Sequence, residues 1–234
     1  MLFGWFHYDW TVLIVLPALI ISVWAQIKVS TTYNRCSRIS TRSGLTGAAA
    51  ARKILDAHGL YDVQIEHVQG HLTDHYDPTA NVIRLSDSVY DAPTAAAVGV
   101  AAHEAGHAVQ YAENYFPIRV RSAIIPVTRF GSMLSIPIFM IGLIFASDLL
   151  LLLGIVLYAA VAFFQLVTLP VEFNASARAI RVLRESSMLD EEELKASRQV
   201  LTAAALTYVA ALLTSLLTLL RLLVLAGGRN NRRR

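Results

Sequence analysis

Cysteine is almost absent from this chain. The single Cys36 excludes an internal disulfide. A thiol with no second cysteine is also a poor zinc-ligand candidate and reads as an ordinary loop or interface residue. Charge is scarce too. Asp, Glu, Lys and Arg make up 16% of the 234 residues, against an apolar fraction of 55% and a mean hydropathy of +0.50. Much of the chain must therefore sit in lipid. The net charge is only +3, and the arginines cluster beside apolar runs. They read as membrane-orientation signals, and no nucleic-acid partner is expected. No Lys or Arg precedes Lys28. The first apolar run thus lacks the cationic start of a secretory signal and reads as an uncleaved anchor.

What is present is organised by apolar runs. Residues 9–27 are long enough for one span, with Trp5, Trp10 and Trp24 near its ends as interfacial aromatics. Lys28, Arg35, Arg38 and Arg42 follow it, so the positive-inside rule puts the N-terminus outside and residue 28 onward in the cytoplasm. Residues 28–122 form the polar, catalytic part. Residues 130–170 make a two-span hairpin, 130–147 and 149–170, with Asp148 at the turn and Pro126 and Pro137 as kink sites. A polar helical segment fills 171–200, where Asp190 can cap a helix. Residues 201–226 form a last membrane segment interrupted by Arg221, and 227–234 a basic tail. Four spans would place that tail outside, against the rule; either the last segment is re-entrant or interfacial, or the rule fails here.

Within 28–122, Thr46 can cap a helix that Gly59 closes after Ala57. Val63, Ile65 and His67 alternate as a strand does, and 81–85 reads as a second strand. Between them residues 70–78 read as a polar loop. The strand at 81–85 offers an edge along which an extended peptide can lie.

One stretch carries chemistry: Ala102-His103-Glu104-Ala105-Gly106-His107, an H-E-x-x-H on an expected helix over 94–113. Residues four apart on a helix sit about 40° apart around its axis, so His103 and His107 can face one ion. Glu104 lies about 100° round from His103, where a base can take a proton from a water the metal activates. With seven His and eight Glu in the chain, chance produces this pattern in about one such sequence in a hundred. The helix is too short in apolar length to be a span.

A catalytic zinc needs a third protein ligand. Glu113 lies six residues beyond His107, but Gln110 stands where a sharp turn would need glycine; on a continuing helix Glu113 points away. Glu172 follows an even number of spans and so returns to the side of the motif. A carboxylate at a helix start beside a bilayer is ordinarily a cap or an interfacial charge. The unmet third ligand favours coordination instead.

These residues resemble the neutral zinc metallopeptidases, bacterial membrane zinc peptidases of the YugP type. The likeness rests on the first anchor, the Thr46-Gly47 helix, Asp74-His75-Tyr76-Asp77-Pro78, the stretch from Ala102 to Gln110, Leu169-Pro170-Val171-Glu172-Phe173, and the segments around Tyr208 and Arg221. It implies a peptidase with a distant glutamate as third ligand, and supports His103, His107 and Glu172 as ligands with Glu104 as base. Asn174 departs from the pattern, where Asp is expected as an acceptor orienting a ligand histidine. His75, Tyr76 and Asp77 can stabilise an oxyanion or hold a ligand; a hairpin turn set by Asp77-Pro78 is the plainer reading. Arg178 can contact substrate or Glu172, although a membrane-facing charge is the commoner explanation. His58, His67 and His71 read as surface or turn residues.

The expected architecture is a mainly α membrane protein: about four membrane helices and a small α+β, zincin-like catalytic part carrying H-E-x-x-H on a helix. The expected function is a multi-pass, cell-membrane zinc metalloendopeptidase holding Zn2+ and acting on peptide or protein substrates, membrane proteins among them. The alternative is a non-proteolytic membrane scaffold that keeps zinc for structure.

Overall fold

The computed structural model describes residues 9–232, with side chains to residue 228. Trp5 and the last arginines of the tail lie outside these limits. Within them the chain is mainly helical, and the elements run α1 (Val12–Cys36), α2 (Gly47–Ala57), β1 (Gln64–Val68), β2 (His75–Asp77), β3 (Val82–Ser86), α3 (Ala95–Ala112), α4 (Phe116–Ile144), α5 (Asp148–Glu185) and α6 (Glu191–Arg232). Four of them, α1, α4, α5 and α6, are long and apolar enough to cross a membrane.

Two compact units divide the chain. One comprises Met1–Trp24, Val120–Leu169 and Tyr208–Arg234; the other comprises Ala25–Arg119 and Pro170–Thr207. The first takes the apolar stretches, and many of its large side chains, Leu13, Phe130, Leu149 and Phe163 among them, are exposed. That outward face suits hydrocarbon rather than water. Inside this unit Ser22 and Thr214 hydrogen-bond at 3.1 Å, and Arg221 pairs with Asp9 at 2.6 Å. The arginine that interrupts the last apolar run thus has a carboxylate partner. Helix α6 is uninterrupted through Arg221 and is long and apolar enough to cross a membrane.

The second unit is α+β. Thr46 caps α2 through Ala49 N at 3.3 Å, and Gly59 follows the helix in the left-handed region at φ +70°. The sheet order is β1-β3-β2, with β1 parallel and β2 antiparallel to β3. Two expectations are corrected here. Residues 75–77 are a strand, paired His75↔Arg84, Tyr76↔Ile83 and Asp77↔Val82, not loop. Strand β3 is central, with neighbours on both sides, so it offers no free edge; β1 and β2 are the edges. Ile83 and Leu85 of β3 are buried with Ile54, Leu55, Ala97, Ala101 and Leu183 in one core. Cys36 closes α1 inside that core and not in a loop.

The helices outrun their apolar cores. Helix α4 begins at Phe116, ahead of Arg119 and Arg121, and keeps Pro126 and Pro137 inside it. Helix α5 continues past Pro170 to Glu185. Apolar run length follows lipid thickness, whereas helical hydrogen bonding continues wherever the backbone allows. Glu172 therefore lies inside a helix rather than at its start, which removes the reading of it as a cap. Asp190 caps α6, accepting from Glu192 N and Glu193 N at 2.9 Å, while Glu193 accepts from Asp190 N at 2.9 Å.

Candidate metal centre

Helix α3 is capped by Thr94, whose side chain accepts from Ala97 N at 3.3 Å. Its alanines and Gly106 leave room for a second helix. A Cβ on Gly106 would lie 2.9 Å from the Ala175 carbonyl oxygen, so α3 and α5 approach backbone to backbone at this point. That approach brings Glu172 over the face carrying His103 and His107.

The two imidazole centroids are 4.7 Å apart, with the rings at 79°. Glu172 Oε2 stands 3.2 Å from His103 Nε2 and 3.5 Å from His107 Nε2. Tetrahedral zinc with bonds of about 2.0–2.1 Å separates its ligand atoms by roughly 3.3–3.4 Å. These three donors lie close enough together to hold a metal ion, with all their ligand atoms within 4.8 Å. Glu172 is 2% exposed, and a buried carboxylate needs a partner charge, which a dication would supply. Two nitrogens and one carboxylate oxygen are a donor set that zinc accepts.

The outer nitrogens are also held. Ser176 Oγ lies 3.1 Å from His103 Nδ1, and Gln110 Oε1 lies 3.0 Å from His107 Nδ1. An amide oxygen can only accept, so His107 donates from Nδ1 to Gln110, and Nε2 is the atom turned toward Glu172. Gln110 is fully buried and gives its amide hydrogens to Val171 O and Asn174 Oδ1, both at 2.9 Å. Asn174 Oδ1 also accepts from Arg178 Nε at 2.7 Å, and Arg178 Nη1 pairs with Glu113 at 2.6 Å. The expected acceptor at position 174 therefore acts one step removed: it holds Gln110, not a histidine. Neither Gln110 nor Ser176 was singled out by the sequence. Their spacing, i+3 from His107 and i+4 from Glu172, is the signal that could have found them.

Glu104 Oε2 accepts from Tyr76 N at 3.0 Å, so β2 fixes the carboxylate beside the ligands. Of the stretch His75-Tyr76-Asp77, this backbone group is the one that hydrogen-bonds to Glu104 among the described residues. The Tyr76 hydroxyl bonds Asn81, His75 Nδ1 meets Thr73 O, and Asp77 accepts from Thr79 N and Ala80 N while pairing with Arg84. That is the arrangement of a hairpin turn. Arg178 reaches Glu113 and Asn174, with its guanidinium 5.9 Å from the Tyr115 ring centroid. His58 meets Ile54 O, His67 pairs with Asp87, and His71 packs edge-on to Tyr33.

His107 and Asp74 are both shifted upward. Burial alone would lower the His107 pKa, but the hydrogen bond to Glu172 and the charges of Glu104 and Glu172 raise it above its ordinary value. Burial raises Asp74, against the opposing hydrogen bonds from Ser86. Asp74 accepts from Ser86 N at 2.7 Å and so ties the segment before β2 to the end of β3.

Comparison with known proteins agrees with this geometry. A family model described as "Putative neutral zinc metallopeptidase" matches residues 11–227. The chain is 47% identical over 199 residues to the "Putative membrane protease YugP" of Bacillus subtilis (strain 168), covering 85% of this chain and 88% of that protein. No solved structure matches.

Proposed function

The chain belongs to the neutral zinc metallopeptidase family, and on that premise we propose that it is a membrane-held zinc endopeptidase with Glu104 as its general base. In this reading His103, His107 and Glu172 hold the zinc. The observation that carries it is the single oxygen, Glu172 Oε2, set 3.2 and 3.5 Å from two imidazole nitrogens. Zinc at such a site lowers the pKa of a water to about 7 and polarises the carbonyl under attack.

The chain's own residues do the rest. Gln110 and Ser176 fix the two rings. The Tyr76 N–H holds one oxygen of Glu104, and no other hydrogen bond to this carboxylate is found among the described residues. Its second oxygen is then available to take a proton from the attacking water and pass it to the leaving amine. A peptide substrate lying along the exposed edge of β2 would run beside Glu104.

The ligand-bearing unit faces the cytoplasm in this proposal. Lys28, Arg35 and Arg38 follow the first span directly, and the first helix usually dominates orientation. Four spans return both termini to the other side.

The test separates hydrolysis from a zinc-stabilised scaffold. Glu104→Gln should keep one zinc per chain and lower cleavage of a peptide library by about 10²–10⁴-fold. Glu172→Ala should lose the zinc. Unchanged cleavage in Glu104→Gln removes the base, and unchanged zinc content in Glu172→Ala removes the ligand.

A further inference from the structure

Away from the metal ligands, five cations of the same unit line one open cavity of about 960 Å³: Lys28, Arg35, Arg184, Lys195 and Arg198. All five are exposed. Arg35 gives an N–H to Gln199 Oε1 at 2.8 Å. The other four have no side-chain hydrogen bond or ion pair among the described residues. Glu191 and Glu192 also border the cavity without pairing with them, which leaves a surplus of positive charge. Cations gathered at one cavity repel one another, and an anion relieves that cost.

The cavity has two chemistries along its length. Lys28 is the first charged residue after the apolar run of α1. Thr202, Ala203 and Leu206, on the opposite helix, belong to the start of the apolar run of α6. A soluble anion would use the cations and leave this apolar wall wet. A second copy of the chain would bring two like-charged cavities face to face in a symmetric interface. A membrane lipid uses both ends, and cation clusters beside spans are where acidic head groups bind.

We propose that this cavity binds the phosphate head group of an anionic phospholipid, with the glycerol and upper acyl chain against Ala203 and Leu206. Lys28, Arg35, Lys195 and Arg198 hold the phosphate oxygens. Such a lipid ties the first and last membrane helices together on the side of the metal site. This site stands independently of the hydrolytic reading, because none of these residues touches the ligands or Glu104.

The experiment places the full-length chain in phosphatidylcholine nanodiscs containing a minor share of phosphatidylglycerol, and measures phosphatidylglycerol retained per chain by mass spectrometry. The natural chain should enrich it. At about a factor of five per cation, the variant Lys28→Gln/Lys195→Gln/Arg198→Gln should bind it roughly 100-fold less tightly. Arg38→Gln/Lys53→Gln/Arg119→Gln makes the same charge change elsewhere and should bind as the natural chain does. Thr202→Trp fills the cavity without altering charge and should also lose the lipid. Zinc content checks folding, and a triple variant that loses zinc is replaced by Thr202→Trp as the deciding measurement. Equal retention by both triple variants, or full retention by Thr202→Trp, overturns the proposal. So does displacement of the lipid by soluble glycerol phosphate or by a glutamate-rich peptide.

Discussion

Gln110 Oε1 lies 3.0 Å from His107 Nδ1, and the same side chain reaches across to α5 through Asn174. One buried amide thus fixes a ligand ring and ties the helix that carries it to the helix that carries Glu172. Being neutral, it orients the ring without adding the charge a carboxylate would bring.

Gln110→Leu should therefore weaken zinc binding by about 10–100-fold, as loss of a group that orients a ligand does. Gln110→Glu keeps an acceptor at the same atom and should bind zinc more tightly than the leucine variant. Chelator competition reads both. Equal affinities in the two variants would show that Gln110 serves packing alone.

Gly106→Ala should be destabilising although alanine is the better helix former by about 1 kcal/mol. The added methyl would stand 2.9 Å from the Ala175 carbonyl oxygen, and overpacking of this kind costs about 1–3 kcal/mol. Because the strain forces α3 and α5 apart, zinc content should fall along with the melting temperature. A variant that keeps full zinc would show that the two backbones can separate without moving Glu172.

Zinc retention should fail on the acid side. The pKa of His107 is raised, so its proton stays on to higher pH than in a free imidazole and competes with the metal. Apparent zinc affinity should weaken progressively as pH falls below that raised value, read by chelator competition across pH. Removal of zinc by a chelator should lower the melting temperature of the chain, since binding to the folded state alone stabilises it. A melting temperature indifferent to zinc would count against a folded-state site.

Asp74→Asn should change the pH dependence of stability. The folded-state pKa of Asp74 is raised by burial. Its protonated form is favoured by folding, so the natural chain is relatively most stable below the ordinary Asp range and loses that advantage as pH rises to the raised value. The amide can still accept from Ser86 N and Oγ. The asparagine variant should match the natural chain at low pH and gain on it toward neutrality, measured by denaturant unfolding. A difference that does not vary with pH would mean that Asp74 is not desolvated in solution.

Local pattern alone was enough for much of this protein. Four apolar runs specify spans because hydrocarbon thickness sets their length. The four-residue spacing of His103 and His107 puts both rings on one helix face, and Glu104 beside them, through helix geometry alone. The caps Thr46 and Asp190 are likewise read from short-range chemistry.

Other features depend on partners distant in sequence. Residues 75–77 carry too little pattern to declare a strand; they become one by pairing with β3, and that pairing brings Tyr76 N to Glu104. The place of β3 in the middle of the sheet follows from the same pairing. The helix ends past Arg119 and Glu172 were hidden because hydropathy marks the lipid boundary and not the last helical hydrogen bond.

Sequence by itself determined the class of the molecule, the metal-binding helix and the need for a third donor, because each is a matter of composition or of neighbours within one helical turn. Tertiary structure decided that Glu172 and not Glu113 approaches the imidazoles, and that Gln110, Ser176 and Tyr76 support the site. Those outcomes follow from the close approach of α3 and α5 at Gly106, a contact between residues some seventy positions apart that no local periodicity encodes.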